Sequence, residues 1–232
     1  MKEKKAWILL YAAALLGDLT GIVAGVDALH VFCKPLLMLF LVWGLVANRK
    51  AIAATPWLFI IGGLLFSWAG DLFLLFEHKN PNFFIGGLAS FLLAHICYII
   101  YYFKCGAFVS VAIKKYPWWL MAAGAYSVSL VLLLFPKLGA LLGPVIAYAA
   151  VLTMMLIGSI AAIPALSKKT SRLFIAGAAC FVVSDSALAI NKFYKVFPMA
   201  GVLIMITYGV AQYLITSGAI SNVLKSTPVN PL

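Results

Sequence analysis

Eight stretches of this chain are apolar over about the length that a helix needs to cross a bilayer, and little sequence separates them. A spanning helix takes about 20 residues, whereas the strands of a membrane barrel would be ~10-residue segments of alternating polarity. The pattern therefore predicts an all-α fold, a polytopic integral membrane protein with eight transmembrane helices. The predicted spans are residues 7–26, 31–47, 57–76, 83–103, 118–135, 138–163, 173–190 and 197–220.

The residues outside these spans are too few for a soluble domain. Hydrophobic residues make up 65% of the chain and charged residues only 10%. We therefore expect residues 1–232 to form a single transmembrane domain, with an N-terminal tail over residues 1–6 and a C-terminal tail over residues 222–232.

Basic residues predict the orientation, because they accumulate in short cytoplasmic loops. One side of the eight-span arrangement carries Lys2, Lys4, Lys5, Arg49, Lys50, Lys104, Lys114, Lys115, Lys168, Lys169, Arg172 and Lys225. The other side carries Lys79, Lys137, Lys192 and Lys195. Both tails should be cytoplasmic. The net charge of +11 then reflects topology and attraction to the lipid bilayer, not a nucleic-acid partner, and the compact loops favour a bacterial inner membrane over endoplasmic reticulum.

Two aspartates lie inside spans that otherwise lack acidic residues. Asp71 follows LFSWAG and Asp185 follows CFVVS. A carboxylate in hydrocarbon costs roughly 3 kcal/mol even on mild insertion scales, so intramembrane acids usually face a cavity and have a function. Each aspartate follows a similar segment, LFIIGGLLF at 58–66 and LFIAGAACF at 173–181, which suggests a 4+4 parallel repeat. Chance similarity between apolar helices is the alternative.

Helical rise places both acids in the outer third of the membrane, ~8 Å and ~10 Å below the non-cytoplasmic ends of their spans. Lys34 enters the membrane from that side, and Lys192, seven residues after Asp185, would share its helical face. Two acids and two bases are thus expected to form one network. Nearer the midplane, His95 and Tyr98 share one face, as do Tyr208 and Gln212.

A structural explanation competes with each functional one. The aspartates could form salt bridges that only hold helices together, and Lys34 could extend to the membrane interface. His95, Tyr98, Tyr148, Tyr208 and Gln212 could make interhelical hydrogen bonds. Asp18 could be accessory, whereas Glu77, Asp27, His30 and His78, at span ends, are expected to be solvated. The four cysteines and three histidines lack zinc-ligand spacing, so no metal or cofactor is predicted.

Several segments together resemble the YhhN and transmembrane-protein-86 family. They are GDLFLL from Gly70, AHICY from Ala94, SDSALAINKF from Ser184 and TYGVAQ from Thr207. Lys34 followed by Pro35, and Tyr148, also match family positions, whereas Asp18 does not. The resemblance covers roughly residues 31–220. It implies a lysoplasmalogenase, which hydrolyses the vinyl ether bond of a lysoplasmalogen to a fatty aldehyde and a glycerophospho-ethanolamine or glycerophosphocholine.

Two buried carboxyl groups suit that chemistry. Vinyl ethers hydrolyse when an acid protonates the β-carbon and water captures the resulting oxocarbenium ion. A carboxyl group in an apolar pocket beside a second one can stay protonated near neutral pH, so the pair can divide acid and base roles as glycosidase carboxylates do. Asp71 and Asp185 are the predicted catalytic pair, with the sequence leaving open which one is the acid. The predicted substrate-binding residues are Lys34, His95, Tyr98, Tyr148, Asn191, Lys192, Tyr208 and Gln212.

Two other functions fit parts of the pattern. A proton-coupled transporter or lipid flippase would use the same aspartates, but their spans lack the proline breaks typical of discontinuous transport helices. An intramembrane aspartyl protease would also use two aspartates, but the local sequences WAGD and VSD do not match its signatures. The predicted partners are therefore a lysophospholipid substrate, the bilayer and water as co-substrate.

Overall fold

A computed structural model describes residues 3–48 and 56–225 of the chain. Within those residues, eight long helices and one short α-helix are present, together with three short helical turns. The helices are α1 (Glu3–Ala24), α2 (Asp27–Ala47), α3 (Trp57–Leu75), α4 (Pro81–Lys104), α5 (Val109–Lys115), α6 (Pro117–Leu138), α7 (Leu142–Ala161), α8 (Lys168–Ala189) and α9 (Ala200–Lys225). The prediction of a polytopic all-α membrane protein is confirmed.

Helix α5, which the apolar pattern did not predict, has seven residues and is too short to cross a bilayer. Residues 117–165 form one continuous apolar segment, but a turn at Gly139–Leu141 separates α6 from α7. Gly139 has a φ of +51°, a conformation that glycine adopts without steric cost. The predicted sixth span began at residue 138, whereas α7 begins at Leu142 because Leu138 still belongs to α6.

Local sequence accounts for other helix starts. Asn80 accepts a hydrogen bond from the Asn82 amide, and Pro81 occupies the first turn of α4, where its missing N–H costs nothing. Ser167 caps α8 by accepting from the Thr170 amide. Helix covers part of both predicted tails, since α1 begins at Glu3 and α9 ends at Lys225. Lys2, Arg49 and Lys50, which contributed to the predicted orientation, lie outside the described residues.

The core lies where α2, α3, α4, α8 and α9 meet, and its largest fully buried side chains include Leu37, Tyr98, Tyr102, Phe174 and Phe181. Helix α1 joins this core through Tyr11, whose hydroxyl donates to the Gly209 carbonyl at 2.7 Å. Helix α6 is peripheral, and many of its apolar side chains are exposed, for example Leu132 at 65%. Apolar side chains facing outward are expected where lipid, not water, surrounds the helices.

Candidate active site

A polar cavity of about 210 Å³ opens at the end of the bundle formed by the C-terminal ends of α1, α3 and α8 and the N-terminal ends of α2 and α9. Both Asp71 and Asp185 line it, one from α3 and the other from α8. His30, Lys34, Glu77 and Tyr208 contribute its other ionisable groups. The two carboxyl groups that the sequence singles out therefore face one shared space.

Asp71 lies in a largely closed, hydrogen-bonded environment with 1% of its surface exposed. Its Oδ2 accepts a hydrogen bond from the Tyr208 hydroxyl at 2.7 Å. The Lys34 ammonium is 3.9 Å from Oδ1, which is too long for a hydrogen bond but close enough for a favourable interaction between opposite charges. Lys34 is thus the cation that faces this acid.

Asp185 has a different set of neighbours. Its Oδ2 accepts from the Tyr148 hydroxyl at 2.6 Å, and His95 Nε2 is 3.7 Å from the same oxygen. The His95 ring is fully buried, packs edge-on against Phe181 and Tyr148, and neither of its nitrogens has a hydrogen-bond partner within the described part of the chain. Among the described residues, no lysine or arginine lies within ion-pair distance of Asp185.

Tyr98 and Gln212 form a separate polar layer and line neither this cavity nor the apolar one described below. The Tyr98 hydroxyl donates to Gln212 Oε1 at 2.7 Å, and Gln212 Nε2 donates to Ser67 Oγ at 2.8 Å. All three side chains are fully buried. The layer ties α4, α9 and α3 together one helical turn from Tyr208, so these residues help to position α3, the helix that carries Asp71.

His30 and Asp18 form a pair at the site, although the sequence predicted at most an accessory role for Asp18 and none for His30. His30 Nδ1 is 2.7 Å from Asp18 Oδ1, and the other Asp18 oxygen is buried without a hydrogen-bond partner in the described structure. His30 was expected to be solvated, but it lines the polar cavity. The available signal was its spacing, since His30 and Lys34 are four residues apart and share one face of α2.

Lys192 pairs with Glu77, not with Asp185 as the predicted helical face would require. Its ammonium is 3.2 Å from Glu77 Oε2 and 4.8 Å from the centre of the Phe84 ring. The reason is a π-helical turn at Ile190–Tyr194, which changes the helical register after Asp185. Asn191, in the same turn, accepts a hydrogen bond from the Phe197 amide at 3.3 Å. Glu77, expected to be solvated, lines the polar cavity.

A second cavity, here called the apolar compartment, lies between α4, α6, α7 and α8. Its walls include Leu88, Val131, Leu134, Val145, Ala149 and Leu152. Leu74, Phe91, Asp185 and Leu188 line both cavities, so the two spaces adjoin at Asp185. The described residues contain no cluster of three or more His, Cys, Asp or Glu side chains suited to a metal ion.

Comparison with known proteins identifies the family. The model of the YhhN family matches residues 29–219. The chain belongs to the YhhN family. The match includes both aspartates and all predicted substrate-binding residues of this YhhN protein, whereas Asp18 lies outside it.

Three related proteins that the chain matches are all named lysoplasmalogenase. The chain is 31% identical over 202 residues to the lysoplasmalogenase TMEM86A of Homo sapiens, covering 85% of this chain and 78% of the relative. It is 30% identical over 166 residues to lysoplasmalogenases of Mycobacterium bovis and Mycobacterium tuberculosis, covering 68% of this chain and 59% of each relative. No solved structure matches this YhhN protein significantly.

Proposed function

We propose that this protein hydrolyses the vinyl ether bond of lysoplasmalogens within the membrane, releasing a fatty aldehyde and a glycerophospho-ethanolamine or glycerophosphocholine. Relatives named lysoplasmalogenase support the substrate class. The observation that carries the catalytic assignment is that Asp71 and Asp185 line one cavity with different electrostatic neighbours.

Asp185 is the general acid in this proposal. No lysine or arginine among the described residues pairs with it, and it borders the apolar compartment, so its neutral form is the less costly one there. Asp71 is the base, because the Lys34 charge 3.9 Å away stabilises a carboxylate. A pair of carboxyl groups in unlike surroundings commonly divides acid and base roles in this way.

The reaction balances with these two carboxyl groups and one water molecule. Asp185 gives its proton to the β-carbon of the vinyl ether, which leaves an oxocarbenium ion between two carboxylates. Water adds to the carbon bonded to oxygen and loses a proton to Asp71, forming a hemiacetal. Asp71 then protonates the glycerol oxygen as the C–O bond breaks, while the hemiacetal hydroxyl returns a proton to Asp185. The products are the aldehyde and the glycerol phosphodiester.

The remaining polar residues have supporting roles in the proposal. Tyr148 and Tyr208 hold the two carboxyl groups through their hydroxyls, and the buried His95 ring, with Nε2 3.7 Å from Asp185 Oδ2, helps to fix the position of that carboxyl group. The headgroup phosphate binds at Lys34 and His30, as charge-assisted contacts of this kind are strong, with Lys192 and Asn191 beside the cavity. Tyr98 and Gln212 do not contact the substrate in this proposal and support the site through the buried polar layer that they form with Ser67.

Aldehyde release by purified protein in detergent tests the proposal, with a saturated ether lysolipid as the substrate control. Asp71→Asn and Asp185→Asn should each lower kcat at least roughly 100-fold, which is the usual contribution of a positioned acid or base. The matched control is Asp27→Asn, because Asp27 is an exposed carboxylate at the same end of the bundle. A folded Asp71→Asn or Asp185→Asn variant with normal turnover would reject the pair. Absence of aldehyde from the parent protein would favour transport, since detergent removes the compartments that transport needs.

A further inference from the structure

The apolar compartment is lined almost entirely by hydrocarbon side chains. Three of its lining residues carry polar groups, and two of those groups are already committed. Ser186 Oγ donates to the Val182 carbonyl at 2.6 Å, and the Tyr148 hydroxyl donates to Asp185. The centre of a water-sized sphere can occupy about 60 Å³ of this space, which exceeds the ~10–15 Å³ needed for one water, but large apolar cavities stay dry. Its occupant should therefore be apolar.

The compartment is also a gap between two hydrophobic clusters. Phe91 and Leu152 belong to the main core, whereas Leu134, Leu138 and Val145 form a small cluster at the end of α6. Protein interiors are normally packed with few voids larger than a water molecule, and unfilled volume reduces stability. A bound ligand that fills this gap would restore the lost packing contacts.

The apolar compartment adjoins the polar cavity, and a ligand that extends through both must have chemical groups that suit each of them. Asp185 is the one ionisable residue that lines both spaces within the described structure. A molecule that spans them would have its polar end at His30 and Lys34, its apolar end between α6 and α7, and its middle at Asp185. A single-chain lipid has that order of groups.

We propose that the apolar compartment binds the alkenyl chain of the lysolipid, so that its walls determine chain-length preference and hold the vinyl ether against Asp185. This inference rests on the proposed function. Val131 on α6 and Ala149 on α7 line the compartment, whereas the next residue on each helix, Leu132 or Ala150, is exposed on the outer face. Each pair supplies a filling variant and a matched control.

The first experiment measures kcat/KM for vinyl ether substrates of increasing chain length, kept monomeric in water below their micelle concentrations. In the parent protein kcat/KM should rise about fourfold per methylene, as expected for each methylene that leaves water, until the compartment is full. Val131→Trp and Ala149→Phe should retain activity on the shortest chains but lose at least tenfold on the longest. Leu132→Trp and Ala150→Phe should follow the parent. An equal loss at every length, or an unchanged profile, would overturn the assignment.

The second experiment needs no catalysis. A lysophosphatidylcholine with a saturated ether chain and a terminal diazirine is photolysed with the protein in detergent, and the labelled residues are identified by mass spectrometry. Labels should concentrate on Val131, Leu134 and Val145, decrease with unlabelled lysolipid, and fall at least tenfold in Ala149→Phe but not in Ala150→Phe. Labelling of Leu132 as strong as that of Val131, without competition, would contradict the chain site. A parent protein that labels as expected but releases no aldehyde would reject the proposed function while supporting this binding site.

Discussion

At the scale of single residues, the informative contrast is between the partners of the two acids. Tyr148 and Tyr208 each donate one short hydrogen bond to a carboxylate oxygen, so hydroxyl support is the same at both sites. The difference is charge, because Lys34 faces Asp71, whereas among the described residues only His95 comes within ion-pair distance of Asp185. This asymmetry, not the tyrosines, assigns the proton donor in our proposal.

Removing the Tyr148 hydroxyl tests how Asp185 works. The hydroxyl would stabilise the carboxylate that forms as Asp185 gives up its proton, and a hydrogen bond to a charged group contributes about 1.5–3 kcal/mol. Tyr148→Phe should therefore lower kcat roughly 10- to 100-fold with little change in KM, measured by steady-state aldehyde release. Tyr126→Phe, on the exposed face of α6, is the control. An unchanged kcat in Tyr148→Phe would contradict the role of Asp185 as donor.

His30 gives a test of headgroup binding that leaves the two acids in place. If His30 contacts the phosphate, His30→Gln should lower kcat/KM for lysoplasmalogen by about tenfold, the equivalent of about 1.4 kcal/mol. It should have little effect on a neutral alkenylglycerol that lacks phosphate. His78→Gln is the matched control, since His78 is an exposed histidine in the loop between α3 and α4. Equal losses on both substrates would show that His30 does not recognise the phosphate.

Sequence reasoning singled out Asp71 and Asp185 because a carboxylate in an apolar span has a clear free-energy cost. It missed the position of His30 and Glu77 at the polar cavity because residues at span ends are ordinarily solvated, and only the folded arrangement of the helices brings these two side chains to one space. It assigned Lys192 to the wrong acid because residue spacing along an ideal helix does not anticipate the π-helical turn at Ile190–Tyr194.

At the scale of helices, each catalytic candidate lies on a helix that packs closely against the next helix in the chain. Ser184, beside Asp185, donates to the Ile204 carbonyl of α9 at 3.1 Å. Gly63 of α3 lies directly against the Tyr98 ring of α4. Small residues permit such close approach of membrane helices. Apolar length predicted that these helices exist, but not the short α5 or the boundary between α6 and α7, because hydrophobicity alone does not reveal a turn.

Gly63→Ala should disturb the site from a distance. A Cβ at Gly63 would overlap the Tyr98 ring, displacing the hydroxyl that donates to Gln212, and overpacking of this kind costs about 1–3 kcal/mol. We expect a lower Tm in detergent together with reduced activity. Gly124→Ala on α6 is the control, because a Cβ there meets nothing within 4 Å. A Gly63→Ala variant as stable and active as Gly124→Ala would show that the polar layer tolerates displacement.

At the scale of the whole molecule, the two cavities lie towards one end of the bundle, and the larger group of basic residues lies at the other end. The cavities lie near the α1–α2, α3–α4 and α6–α7 junctions and the end of α8. At the opposite end, Lys104 is the last residue of α4, Lys114 and Lys115 end α5, and Lys168, Lys169 and Arg172 lie in the first turns of α8. Basic loops are cytoplasmic in most membrane proteins. The candidate site should then accept lipid from the non-cytoplasmic leaflet.

Cysteine labelling in intact bacterial cells tests that orientation. Cys33, Cys97, Cys105 and Cys180 would first be replaced, and the resulting protein checked for retained aldehyde release. Because Lys79 and Lys137 are exposed at the cavity end, Lys79→Cys and Lys137→Cys should react with a membrane-impermeant maleimide from outside. Lys115→Cys and Lys169→Cys, exposed at the opposite end, should react only after permeabilisation. The reverse pattern would place the cavity on the cytoplasmic side, and substrate would then have to come from the inner leaflet.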